Sequence, residues 1–71
     1  MFEIKYGIHR GTLTSRDVGE PKNFGTRDEA ISWFKDEQAW LRSIGYVFWY
    51  CHLFDENGSM ETLEQNSYPV V

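Results

Sequence analysis

The residues best suited to chemistry are one cysteine and two histidines. Cys51 and His52 are neighbours in the stretch YVFWYCHLF, and His9 lies far away in the sequence. Because adjacent residues on a β-strand point to opposite faces, Cys51 and His52 cannot act together as nucleophile and base or bind one metal ion. The chain has no further soft ligands for a closed zinc site, and no phosphate loop, nucleophile elbow or HExxH motif. We therefore expect no enzyme activity, no metal and no cofactor.

The stretch YVFWYCHLF also raises a question of packing, because it contains five aromatic residues and no charge, glycine or proline. Strand alternation divides it into two sets. The first set has the usual content of a core: Val47, Trp49, Cys51 and Leu53. The second set carries polar groups that favour water or a partner: Tyr46, Phe48, Tyr50, His52 and Phe54. We expect a helix to cover the first set and leave the second at least partly open, unless residues 10–25 or the C-terminal tail fold over it.

The net charge of −4 is unevenly distributed. Residues 1–27 carry +2, residues 28–71 carry −6, and no basic residue follows Arg42. Acidic residues follow the aromatic stretch: Asp55, Glu56, Glu61 and Glu64. Carboxylates repel phosphate, so they disfavour nucleic acid, whereas tyrosines beside carboxylates complement a basic protein surface.

These features predict a small acidic protein-binding module. Its predicted partner-binding residues are Tyr46, Phe48, Tyr50, His52, Asp55, Glu56 and Glu61. By size and charge, we expect an inhibitor of a basic nucleic-acid-handling protein, of the anti-restriction or anti-CRISPR kind that phages and other mobile elements encode. Two alternatives stay open: a homodimer formed through the aromatic sheet face, and a domain that binds single-stranded nucleic acid.

A second candidate surface lies on the predicted helix, where Glu37 falls within the apolar stripe. One interpretation places Glu37 at the edge of the stripe, with its carboxylate in water. The other places it between Trp33 and Trp40 as an exposed ridge of aromatic and acidic side chains, at positions i, i+4 and i+7.

The first half of the chain predicts a strand, a loop and a helix. FEIKYGIH alternates as a half-buried strand, Thr12 to Ser15 could form a short second strand, and residues 17–25 read as a loop. Thr26 and Glu29 have capping-box spacing, so the helix should run from about Arg27 to Ser43. Its apolar stripe is Ala30, Phe34, Leu41 and Ile44, and Gly45 supplies the C-terminal stop.

The second half predicts a hairpin. Asn57-Gly58 favours a two-residue type I′ turn that places Phe54 opposite Glu61, with a partner strand over about residues 59–65. Residues 66–71 contain Pro69 and read as an irregular tail. The predicted class is therefore a two-layer α+β domain spanning residues 1–71, with one helix on a small antiparallel sheet in the order β-(β)-α-β-β.

The composition of the chain also indicates which cellular compartment suits it. A single cysteine excludes an intramolecular disulfide, which suits a reducing compartment. No apolar run approaches the ~20 residues that span a bilayer, and the N-terminal residues carry too many charges for a signal peptide. We expect a cytoplasmic protein without a membrane partner.

Overall fold

The computed structural model describes residues 1–10 and 16–66. Its elements, in chain order, are β1 (Phe2–Arg10), β2 (Arg16–Val18), β3 (Lys22–Phe24), α1 (Arg27–Ser43), β4 (Tyr46–Phe54) and β5 (Met60–Gln65). The strands form one antiparallel sheet in the order β2-β1-β4-β5, with β3 also paired to β1. The helix packs on one face of this sheet, which confirms the predicted two-layer α+β class.

Helix α1 has the predicted bounds, and its ends explain why. The Thr26 hydroxyl accepts a hydrogen bond from the backbone N–H of Glu29 at 3.2 Å, and Glu29 Oε1 accepts one from the backbone N–H of Thr26 at 3.0 Å. This reciprocal capping box satisfies two donors that the first turn leaves without helical partners. At the other end, Gly45 has a φ of 85°, the left-handed conformation that commonly ends a helix.

The core lies between α1 and the central strands. The helix contributes Ala30, Phe34 and Leu41, as predicted, and these pack against the buried strand residues Ile4, Phe48, Cys51 and Leu53. The predicted inclusion of Ile44 is wrong. Ile44 is the C-cap with a φ of −109°, so the chain leaves the helix there and the side chain is exposed.

A β-bulge divides β4 and corrects its predicted faces. Gly7 of β1 lies opposite Tyr50, whereas the next residue, Ile8, lies opposite Phe48, so Trp49 is an extra residue in β4. A bulge of one residue reverses which side of the strand faces the core. Beyond the bulge, Cys51 and Leu53 face the helix as predicted.

Before the bulge, the predicted faces are wrong. Tyr46 and Phe48 lie on the helix side, and Phe48 is only 1% exposed. Val47, which was predicted to belong to the core, pairs with His9 on the opposite side. The physical reason is the extra residue: strict alternation cannot bury both Phe48 and Cys51, and the bulge allows both.

Asn66 completes the hydrogen bonding around this bulge. Its backbone N–H donates to the Trp49 carbonyl at 3.1 Å, and its side-chain Nδ2 donates to the Phe48 carbonyl at 2.6 Å. These bonds satisfy two β4 carbonyls where the regular ladder stops. The start of the segment that was predicted to be an irregular tail therefore supports β4, while residues 67–71 lie outside the described part of the chain.

The segment predicted as a loop over residues 17–25 contains ordered pairing. Strands β2 and β3 both pair along one edge of β1, β2 opposite residues 7–9 and β3 opposite residues 2–4. Gly19 and Pro21 lie between the two strands. Such residues predict a loop from the sequence, yet an edge strand tolerates them. The predicted strand over Thr12 to Ser15 lies outside the described residues.

The hairpin between β4 and β5 has a different turn from the predicted one. Phe54 lies opposite Met60 rather than Glu61, and the backbone N–H of Asp55 donates to the Ser59 carbonyl at 3.0 Å. Three residues, 56–58, therefore lie inside the hydrogen-bonded pair of Asp55 and Ser59, with Gly58 at a φ of 84°. This arrangement is the three-residue hairpin loop in which a left-handed glycine follows a tight turn.

Gly19 offers a test of this packing. A Cβ at Gly19 would lie 2.0 Å from Cζ of Tyr6, whose ring is held by Trp33 at 5.3 Å and by Phe48 at 5.7 Å. Gly19→Ala should therefore lower the free energy of unfolding by about 1–3 kcal/mol, measured by urea denaturation. Gly25→Ala is the comparison variant: its Cβ would meet only the capping-box oxygen of Glu29, at 3.2 Å, so a smaller loss than for Gly19→Ala is expected. Equal losses in the two variants would contradict this packing.

Candidate partner-binding surface

The sheet face opposite α1 carries a succession of rings from β4. Tyr50, His52 and Phe54, which we call the aromatic row, lie on this face and are partly buried. Their ring centroids are 5.2 Å apart between Tyr50 and His52 and 6.4 Å apart between His52 and Phe54. Spacings of this size are typical of favourable aromatic pairs, so the row is an ordered surface feature.

Gly7 explains how the row lies on the sheet. A Cβ at Gly7 would lie 2.6 Å from Cε1 of Tyr50, so the absence of a side chain lets the tyrosine ring cross β1. Glycine inside a strand often marks such a close approach. The ring therefore loses part of its exposure to the sheet itself.

Three residues that sequence reasoning missed extend this face on both sides of the row. Val18 pairs with Gly7 and is 72% exposed, and Met60 pairs with Phe54 and is 54% exposed. Lys5 pairs with His52, and its Nζ lies 5.3 Å from the centroid of the Phe54 ring. The sequence offered one signal, since Gly7 within the alternation of β1 indicates the close approach of the Tyr50 ring. The positions of Val18, Lys5 and Met60 depend on strand pairing, which the sequence does not reveal.

The structure divides the predicted partner-binding residues. Tyr50 and His52 lie on the open face, and Asp55 and Glu56 lie at its hairpin end. Tyr46 and Phe48 do not join them, since they lie on the helix side, where Phe48 is enclosed by Tyr6, Trp33 and Phe34. Their predicted place on an open face is wrong.

Glu61 is also absent from this face, because it forms an ion pair with the helix. Arg27 Nη2 donates to both of its carboxylate oxygens, at 2.8 and 2.9 Å. Glu64 behaves similarly: its side chain is 10% exposed, accepts a hydrogen bond from Gln38 at 2.6 Å and lies 3.6 Å from Arg42. Two of the acidic residues that suggested a basic partner are therefore paired within the chain.

The two remaining hairpin acids have different surroundings. Asp55 Oδ1 accepts hydrogen bonds from the backbone N–H groups of Asn57 and Ser59, both at 2.9 Å, so this carboxylate shapes the turn. Glu56 is exposed, and its Oε1 lies 3.5 Å from the N-terminal ammonium of Met1. The negative charge at this end of the row therefore comes from Asp55, from Glu56 and from Glu3, which pairs with Phe54 on the same face.

The predicted ridge on α1 is not continuous. Trp33 packs inward against Tyr6 and Phe24, with ring centroids at 5.3 and 5.9 Å, whereas Trp40 is 57% exposed. Glu37 is partly buried. Partial burial of Tyr6 raises the pKa of its phenol, and the nearby charge of Glu37 raises it further. The expectation of an exposed Trp33 is therefore wrong, and Trp40 stands alone as an exposed ring on the helix.

Cys51 and His52 point to opposite faces, as the alternation predicted. Cys51 is fully buried beneath α1, and its burial, assisted by the charge of Glu64, raises the pKa of its thiol to about 12. His9 is also buried, but its strand register places it on the face away from the helix. Among residues 1–10 and 16–66, no cluster of three histidine, cysteine or acidic side chains is placed to hold a metal ion.

Comparison with known proteins gives no match among family models, curated proteins or solved structures. Within the described part of the chain, no helix has both the length and the apolar character needed to cross a membrane.

The state of Cys51 gives a prediction. The pKa of about 12 keeps the thiol protonated near pH 8, so a thiol reagent should label the folded protein far more slowly than the protein in denaturant. Because the folded-state pKa lies above the unfolded value of about 8.5, this group's contribution to stability is complete below pH 8.5 and falls as the pH rises toward 12. Cys51→Ala is the control, since it removes this contribution to the pH dependence. Rapid labelling of the native protein would contradict the buried placement.

Proposed function

We propose that the protein is a binding module that docks a partner protein onto the sheet face opposite α1. The observation that carries this proposal is the aromatic row, whose three rings remain partly exposed while Phe48 of the same strand is enclosed. Interfaces are enriched in aromatic residues and methionine and contain few acidic residues at their centre. The row has this composition, with Met60 beside it and with carboxylates (Glu3, Asp55 and Glu56) only around its Phe54 end.

The chemistry of the row and the charge of the chain support a basic partner. Lys5 already lies over Phe54, so a cation from the same chain uses the negative face of one ring. An arginine or lysine of a partner can contact Tyr50 or His52 in the same way, with Asp55 and Glu56 close to the end of the row. Arginine is also a frequent energetic centre of interfaces, and the net charge of −4 favours encounter with a positive surface.

A basic surface that handles nucleic acid is the partner that best fits these properties. A small acidic module occupying such a surface excludes phosphate from it, which is inhibition by competition. The support for this finer function is the size and charge of the chain. An inhibitor carried by a phage or another mobile element is the biological form that we propose.

A homodimer is the second candidate, and one observation favours it. Val18 and Met60 add exposed apolar area on both sides of the row, and apolar faces of this kind also join identical chains. The two candidates differ in whether the isolated protein self-associates.

Tyr50→Ser tests the proposal directly, with Trp40→Ala as a matched control that removes an exposed ring from the helix. In extracts of the native host, the wild-type protein and Trp40→Ala should capture the same basic protein. Tyr50→Ser should bind it at least about tenfold more weakly, as expected for a central aromatic contact. Circular dichroism should first establish that both variants keep the fold.

The outcomes separate the candidates. Sedimentation of the isolated protein as a monomer at tens of micromolar, with partner binding lost in Tyr50→Ser, supports the proposal. A dimer that Tyr50→Ser dissociates replaces it with the homodimer. Binding of an oligothymidine that weakens steeply with added salt replaces it with nucleic-acid recognition. Equal capture by all three proteins would falsify the use of this face.

A further inference from the structure

A cavity of about 170 Å³ lies between the hairpin turn and the N-terminal end of α1. Its lining is Phe2, Arg27, Leu53, Asp55, Ser59, Met60 and Glu61. No member of the aromatic row lines it, although Met60, which lies beside Phe54, contributes to the lining.

The size of the cavity limits what it can hold. Sites for cofactors and drug-sized ligands usually measure ~300–1,000 Å³. At about 170 Å³, this cavity lies below that range. This space suits one long side chain of a partner.

The lining combines an apolar floor with a polar rim. Phe2 and Leu53 belong to the packed interior side of the sheet, and Leu53 is buried. Such a floor favours the methylene groups of an occupant, because their burial removes apolar surface from water. The charges at the rim then favour one kind of end group on the occupant.

The charges of the rim favour a cation. Arg27 and Glu61 form a hydrogen-bonded ion pair and neutralise each other. Asp55 retains an uncompensated negative charge, because its Oδ1 accepts only from the neutral backbone N–H groups of Asn57 and Ser59. An occupant with a positive end group therefore gains a charge-assisted contact that a neutral one lacks.

We propose that this cavity receives a lysine side chain of the partner, with its methylene groups against Phe2 and Leu53 and its ammonium beside Asp55. Long basic side chains commonly bury an apolar stem while the charged end stays near water. The inference rests on the proposed function, since the partner supplies the lysine. It adds a second contact on the helix side of the hairpin to the aromatic row on the other side.

The test uses N-acetyl-lysine-N-methylamide as the probe and measures amide chemical shifts of the ¹⁵N-labelled protein at low salt. A fragment of this size should bind with a Kd on the order of 10 mM. The shifts should be centred on Asp55, Ser59 and Glu61. The norleucine analogue keeps the four side-chain carbons and lacks the ammonium group, and we expect it to bind more weakly.

Two variants separate the charge of the cavity from general acidity. Asp55→Asn keeps a side-chain oxygen that can accept from the turn, and it should weaken probe binding by about fivefold through loss of the charge. Asp36→Asn makes the same change at an exposed acid of α1 that does not line the cavity, and it should leave the Kd within a factor of two. A circular dichroism spectrum checks the fold of each variant.

Several results would overturn the inference: no shifts at the cavity, equal binding of the norleucine analogue, or equal effects of the two variants. Failure of the proposed function looks different. If Tyr50→Ser leaves partner capture intact, the row is not the docking surface, whatever the probe does. If partner capture requires Tyr50 but the probe does not bind in the cavity, only the proposed lysine contact is wrong.

Discussion

The arrangement of this small domain depends on one extra residue in β4. Trp49 forms the bulge that lets Phe48 and Cys51, three positions apart, both lie under α1. Phe48 stacks on Phe34 with centroids 5.5 Å apart and meets Tyr6 nearly edge-on, so it is central to the core. The same reversal sends Tyr50, His52 and Phe54 to the other face. The core and the candidate surface therefore have one structural cause.

The two acidic residues of β5 that face α1 form ion pairs with arginines of the helix. Arg27 at the start of the helix binds Glu61, and Arg42 near its end lies beside Glu64. Exposed pairs of this kind contribute only ~0–1 kcal/mol, so Arg27–Glu61 is a weak stabiliser. Glu64 is mostly buried and also accepts from Gln38 and from Asn66 Nδ2, at 2.6 and 2.7 Å, which makes it the better-integrated anchor. Glu61 and Glu64 are therefore paired within the chain, and Asp55 and Glu56 lie at the turn of the hairpin.

Local signals predicted the fold class and its helix, because their causes lie within a few residues. The capping box at Thr26, the left-handed Gly45 and the alternation of β1 all act at short range, and each was correct. Features that depend on distant partners were missed. The three-residue strands β2 and β3 exist because β1 offers an edge, and Gly19 and Pro21 conceal them in a sequence reading.

The candidate surface was half predictable for the same reason. Tyr50 and His52 were assigned correctly because the alternation beyond Trp49 is regular. Phe48 was assigned incorrectly because a bulge leaves no composition signal, and it changes the face of every residue before it. The register of the hairpin failed similarly: Asn57-Gly58 marks the turn, but the backbone-binding carboxylate of Asp55 favours the longer loop that pairs Phe54 with Met60.

The hairpin end is where these constraints meet. Phe54 closes the aromatic row on one face, and Asp55, the next residue, lines the cavity on the helix side. The molecule is elongated, with extents of 35 × 21 × 17 Å. A partner that contacted only the sheet face would not reach the cavity, whereas a partner that bound the hairpin end would contact both features. Because Asp55 both shapes the turn and supplies the uncompensated charge, the same carboxylate would orient the tip and attract the basic group that it receives.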